Sequence, residues 1–187
     1  MQRKSAAITI GMKTDHENGF TLIELMVAVS VLAIVLGIGV PGFQELIQNN
    51  RITTQANEFV AALNFARSEA IKRGIRITLC RSSDGSNCSD SGNWDQGWIV
   101  FVDTNNNASV DGGEPILKVY SSLRASTLSG NTNVAGYVSY VSSGFTQLTS
   151  GAFQAGTFTL CPDSSGSGRS IVINAMGRTA VSKAPCS

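Results

Sequence analysis

From Phe20 to Val40 the chain is apolar almost without interruption, and its single ionisable side chain there is Glu24. About twenty residues at 1.5 Å each make a helix of roughly 30 Å, enough to cross the hydrocarbon core of a bilayer. Pro41, flanked by Gly37, Gly39 and Gly42, marks a kink or weak point where that span ends. Beyond it, Phe43, Leu46 and Ile47, then Ala56, Phe59, Val60, Leu63, Ala66 and Ala70, recur at three- and four-residue intervals and form one apolar helix face. Glu69 and Arg73 stand four apart in the favourable order, and Gly74 is placed to stop the helix. The pattern predicts one continuous rod, membrane-embedded at its start and packed on a sheet at its end.

After Gly74 the period changes to two. Ile75, Ile77 and Leu79 alternate with Arg76, Thr78 and Cys80, which predicts a half-buried strand. Gly97 to Val102 reads as a buried strand, and Ile116–Tyr120, Tyr137–Val141, Thr157–Cys161 and Ser170–Asn174 as further strands. A short final strand at Thr179–Val181 follows a turn at Ala175-Met176-Gly177. Ser126–Val134 and Gly144–Gly156 are too polar to assign. The expected fold class is α+β, a long amino-terminal helix on an antiparallel sheet.

Glu24 needs a physical reason. A carboxylate disfavours insertion by roughly 2.5–3.5 kcal/mol at mid-membrane, and less near an end. In the first helical turn it complements the helix dipole. A cut between Gly19 and Phe20 would also free an α-amino group four residues before it. Between chains, Glu24 would then meet the new amino terminus of a neighbour and tie two helices together. The plainer alternative is an interfacial Glu that sits at the headgroup level.

The surrounding residues weigh towards pairing. A polar head, Met1 to Gly19, carries Arg3, Lys4 and Lys13, and is followed by a Gly-Phe junction and Thr-Leu-Ile-Glu-Leu. This resembles the class III leader of type IV pilins and pseudopilins. The resemblance implies cleavage after Gly19 by a prepilin peptidase, methylation of Phe20 and a filament-assembly role for Glu24. An ordinary secretory signal would place its cleavage site after the apolar core.

Downstream, Leu63-Asn64-Phe65-Ala66-Arg67-Ser68-Glu69-Ala70, the stretch Trp94 to Asp103 and Ile171-Val172-Ile173-Asn174-Ala175-Met176-Gly177-Arg178 resemble the GspH/FimT group. That group holds H-type minor pseudopilins of type II secretion and minor pilins of type IV pili, both near the filament tip. The resemblance implies the type IV pilin fold. Its expected divisions are a leader at 1–19, a transmembrane helix half at 20–42 and a periplasmic domain at 43–187. Within that domain, 43–73 is the amphipathic helix and 75–187 the sheet and loops. Implied partners are other minor and major pilins or pseudopilins, the prepilin peptidase, an inner-membrane assembly platform and inner-membrane lipid.

Composition narrows the chemistry. The 187 residues suit one anchored domain of ordinary size. Formal net charge is +1, and the leader carries all of it, so the remainder is neutral and argues against a nucleic-acid-coating surface. The single His is His16, inside the leader. Without it there is no His-based triad, zinc site or proton shuttle, which argues for a non-enzymatic protein. Four cysteines in an exported domain predict two disulfides. Three pairings are open; proximity along the chain favours Cys80 with Cys88 and Cys161 with Cys186.

Two further features carry candidate chemistry. Asp103, Asn105, Asn107, Asp111 and Glu114 occupy the first, third, fifth, ninth and twelfth positions of a twelve-residue stretch, with Ser109 between. This is the oxygen spacing of an EF-hand calcium loop, although Ala108 replaces the usual Gly and the flanks read as strands. The alternative is an Asn/Gly-rich connection between strands, with no cofactor. Arg169, Arg178 and Lys183 form a candidate basic patch at one end of the sheet. Some FimT-like minor pilins take up DNA through a terminal Gly-Arg-x-Arg motif; here Gly177-Arg178-Thr179-Ala180 lacks the second Arg.

Overall fold

A computed structural model describes residues 19–164 and 166–186, without the side chains of residues 38–41. Most of the expected leader, with His16, therefore lies outside the described residues, as does the side chain of Pro41 where the weak point is expected. The chain divides into two compact units, Met1–Gly42 and Phe43–Ser187. Helix α1 is assigned from Leu22 to Arg73. In the first unit its described side chains are exposed, and a window of it is long and apolar enough to cross a membrane.

In the second unit, α1 buries Ile52, Ala56, Phe59, Ala62, Leu63, Ala66 and Ala70. This is the predicted stripe from Ala56 onward; small residues at every other contact let the strands approach the helix closely. Phe43, Leu46 and Ile47 depart from it, being half or more exposed. Gly74 ends the helix at φ +69°, its N–H donating to the Ala70 carbonyl at 3.0 Å, and Glu69 pairs with Arg73.

Eight antiparallel strands follow: β1 (Ile77–Arg81), β2 (Trp98–Val102), β3 (Ile116–Tyr120), β4 (Ser126–Gly130), β5 (Tyr137–Tyr140), β6 (Gly156–Pro162), β7 (Gly166–Ile173) and β8 (Thr179–Cys186). They form two four-stranded sheets rather than one, ordered β3-β2-β1-β5 and β4-β6-β7-β8. The chain crosses to the second sheet at β4, returns at β5 and crosses again at β6. Ile77, Leu79, Trp98 and Val100 of one sheet and Leu128, Phe158, Leu160 and Ile171 of the other join the same core as the helix stripe. Phe59 lies at its centre, edge-on to Trp94, Trp98 and Phe158 at 5.4, 5.1 and 4.7 Å between ring centres.

β1 corrects the half-buried expectation, because it runs between β2 and β5 and is covered on both faces. Its Thr78/Cys80 side shares a second small core with Ile99 and Phe101, roofed by Cys88, Val110 and Ile116. The loops at 82–97 and 103–115 are thus packed parts of the domain.

Candidate functional site

The amino terminus of α1 is built by a reciprocal cap. Thr21 precedes the helix and Glu24 is its third residue. The Glu24 N–H donates to Thr21 Oγ1 at 3.3 Å, while Glu24 Oε2 accepts from the Thr21 N–H at 3.5 Å and its hydroxyl at 3.4 Å. This is a capping box, and the Thr-x-x-Glu spacing that signals it was available in the sequence. The two bonds to Oε2 are long, and Oε1 takes no part in them. Gly19 and Phe20 lie just ahead of the helix and are exposed, Phe20 at 88%. Gly19, Phe20 and the Glu24 carboxylate therefore fall within six residues on an exposed segment.

The cysteines pair as Cys80–Cys88 and Cys161–Cys186, with Cα separations of 5.6 and 5.7 Å. The first pair does not hold its loop alone. Arg81 donates to four carbonyls: Ser89 at 2.9 Å, Gly92 at 2.6 Å, Asp90 at 2.6 Å and Ala135 at 3.2 Å. Sequence reasoning missed this, since an Arg at a strand end gives no sign of which carbonyls will surround it. In the same loop, Asp84 accepts from the Asn87 side chain and from the Ser86 and Asn87 N–H groups, which hold its carboxyl well below the usual carboxylate range.

The residues of the candidate calcium loop face two ways. Asp103 is fully buried; its oxygens accept from Thr78 Oγ1 at 2.7 Å and from the Asn107 and Ala108 N–H groups. Thr78 Oγ1 also lies 2.6 Å from Ser139 Oγ. Glu114 accepts from Thr104 and from the Asp111 N–H, also on the inner side. Asp111 is exposed and accepts from the side-chain amides of Asn105 and Asn107 at 2.8 and 2.6 Å, which lower its pKa. Asn107 also caps the Ser109 N–H. The loop is closed by its own N–H donors, and among the described residues no three His, Cys, Asp or Glu side chains gather at metal-ligating distance. Asn106 and Ala108 take positive φ, at 62° and 59°.

The basic trio is divided. Arg169 and Lys183 are directly opposed between β7 and β8, and Arg169 also donates to Thr53 Oγ1 on α1 at 2.9 Å. Arg178 sits in the β7–β8 turn, at the other end of that hairpin. A single patch of the three is not what the register builds. Arg124 also meets this part of α1, its carbonyl accepting from Gln55 at 3.1 Å.

Comparison with known proteins places this arrangement. The family described as Type II transport protein GspH matches residues 55–177, and the prokaryotic N-terminal methylation motif matches residues 15–40. The prepilin peptidase-dependent protein D of Escherichia coli K12 is 34% identical over 71 residues, covering 38% of this chain and 49% of that protein. The pilin-like protein PilA1 of Thermus thermophilus is 31% identical over 98 residues, covering 51% and 54%. The chain thus spans about half the length of these curated relatives. The crystal structure of the type IV minor pilin FimU of Pseudomonas aeruginosa PAO1 superposes with a TM-score of 0.56 at 21% identity, covering 73% of this chain and 92% of that one. At that identity the likeness is one of fold. With the family profile running from the helix stripe to the β7–β8 turn and the methylation motif spanning Gly19, Phe20 and Glu24, the chain belongs to the GspH/FimT family of minor pilins and pseudopilins.

Proposed function

We propose that the chain is a filament subunit made as a precursor. A prepilin peptidase cuts it between Gly19 and Phe20, and the new Phe20 amine is methylated. The apolar helix holds the product in the bacterial inner membrane, with residues 43–187 in the periplasm. An assembly platform then draws it, beside other minor and major subunits, into the tip of a type IV pilus or a type II secretion pseudopilus.

The observation that carries this reading is the Glu24 carboxylate. It is the only charge on an apolar segment, and among the described residues its side chain is engaged through the long bonds of the cap. Each processed subunit offers one such acid and one terminal amine, whose ordinary pKa near 8 leaves it positive at neutral pH. Pairing the acid of one subunit with the amine of the next would satisfy both in a low-dielectric setting. Leaving either alone there costs about 3–5 kcal/mol.

The test is incorporation into filaments. Glu24→Ala and Glu24→Gln should leave cleavage after Gly19 intact while the subunit vanishes from sheared filaments. Normal incorporation of both variants contradicts the pairing. The genes beside this one separate the two systems, a secretion operon favouring the pseudopilus and a cluster of pilus subunits the pilus.

A further inference from the structure

The neutral remainder of the chain hides an uneven distribution of charge. Around the first turns of α1 in the second unit, three connections converge. Ser164 of the β6–β7 turn donates to Gln48 at 3.2 Å, Arg169 reaches Thr53, and Gln55 holds the Arg124 carbonyl. This brings Arg51, Arg124, Arg169 and, opposite it in register, Lys183 to one end of the domain. The carboxylates closest along the chain are Glu45 and Asp163, with Glu58 about two turns past Arg51 on the helix. Among the described residues none of these four cations forms an ion pair; the pairs present join Glu69 to Lys72 and Arg73. Arg51 differs again, for its Nε is buried and has no hydrogen-bond partner among the described residues. With Nε enclosed, an acceptor from outside the chain can reach Arg51 only through the terminal nitrogens of its guanidinium.

Chain length says where that acceptor lies. Arg51 is nine residues past Gly42, the end of the expected span, and therefore no more than about 14 Å of helix away from it. The polar zone of a bilayer adds only a few ångströms to each side of its hydrocarbon core. The Debye length at physiological ionic strength is about 8 Å.

We infer that Arg51, Arg124, Arg169 and Lys183 form a docking surface for anionic phospholipid headgroups, which holds the domain against the membrane before assembly. This rests on the membrane-anchored reading above. Guanidinium groups suit phosphate because their planar N–H pairs match two of its oxygens. The neighbours Gln48, Asn49, Asn50, Thr53 and Ser164 add neutral donors with no further negative charge. Each cation that reaches the headgroups strengthens the contact roughly fivefold.

The test uses the full chain in lipid nanodiscs, of phosphatidylcholine alone or with about one third phosphatidylglycerol. Hydrogen exchange would be followed in peptides covering 48–55, 124–130 and 166–173, with 137–141 as an internal reference. Phosphatidylglycerol should slow the first three several-fold at low salt and leave the reference unchanged. The protection should vanish in high salt and in the R51Q/R124Q/R169Q/K183Q variant, and return when the three arginines are instead replaced by lysine. Equal exchange in both disc types, with the chain firmly in the discs, overturns the inference and spares the membrane reading. A chain that does not enter discs overturns both. Protection given by a DNA duplex and not by phosphatidylglycerol assigns the surface to nucleic acid and overturns the lipid assignment.

Discussion

Two demands meet on the Glu24 carboxylate. As the third residue of α1 it closes the cap on Thr21, and in the proposed assembly, as the only acid on an apolar segment, it receives a neighbour's amine. The demands separate by mutation. Thr21→Ala removes the cap and should cost about 1 kcal/mol of helix stability, seen as faster hydrogen exchange at residues 22–25, while filament incorporation persists. Asp111 gives a second residue-scale prediction. The Asn105 and Asn107 amides lower its folded pKa, so its stabilisation is present above about pH 4 and lost as pH falls through the lowered folded value. In an NMR titration, Asn107→Ala should move the Asp111 midpoint upward towards that of an ordinary aspartate; an unmoved midpoint contradicts the hydrogen-bond origin. In the core, Phe59→Ala removes the ring shared by Trp94, Trp98 and Phe158. It should cost about 3–5 kcal/mol in a denaturant melt.

Among elements, the two disulfides act on different problems. Cys80–Cys88 closes a span of 8 residues already pinned by Arg81, and Cys161–Cys186 spans 25 and ties the end of edge strand β8 to β6. On the chain-entropy estimate they are worth about 2.5 and 3.5 kcal/mol. Replacing both cysteines of the second pair by serine should therefore destabilise more, and should release exchange along β8; equal losses would contradict that ranking. The elements also differed in how openly the sequence announced them. The helix stripe from Ala56, the Gly74 stop, strand β2 and the turn at Ala175-Met176-Gly177 follow from local periodicity and backbone rules, and Gly177 does take φ +72°. Strand β4 does not, because Ser126-Thr127-Leu128-Ser129-Gly130 carries one apolar side chain. Its place is set from a distance, by pairing with β6, by Ser126 on Gln55 and by the Leu128 N–H on Asp95. With β4 unseen, the division into two sheets was unseen too. The polar face of β1 misled for a related reason: Thr78 is buried because Asp103 and Ser139 satisfy its hydroxyl, and neither is near it in sequence.

On the scale of the whole molecule, the proposed processing and assembly chemistry is legible at the amino terminus because it is local: Gly19, Phe20 and Glu24 lie within six consecutive residues. The cations at the other candidate surface come from four separate segments, so composition reported only an overall balance, a chain of net charge +1 that is neutral beyond Gly19. The same separation shapes the account of the molecule. The apolar segment carries the proposed anchor and assembly chemistry, while the domain carries a disulfide-braced core with both sheets on one helix face. All of this depends on the chain beginning, in its working form, at Phe20. The direct measurement is the amino-terminal mass of the protein co-expressed with a prepilin peptidase. The account predicts a chain that starts at N-methylated Phe20 and lacks the first 19 residues. A protein that retains Met1, or one trimmed near Val40 and released from the membrane, contradicts it.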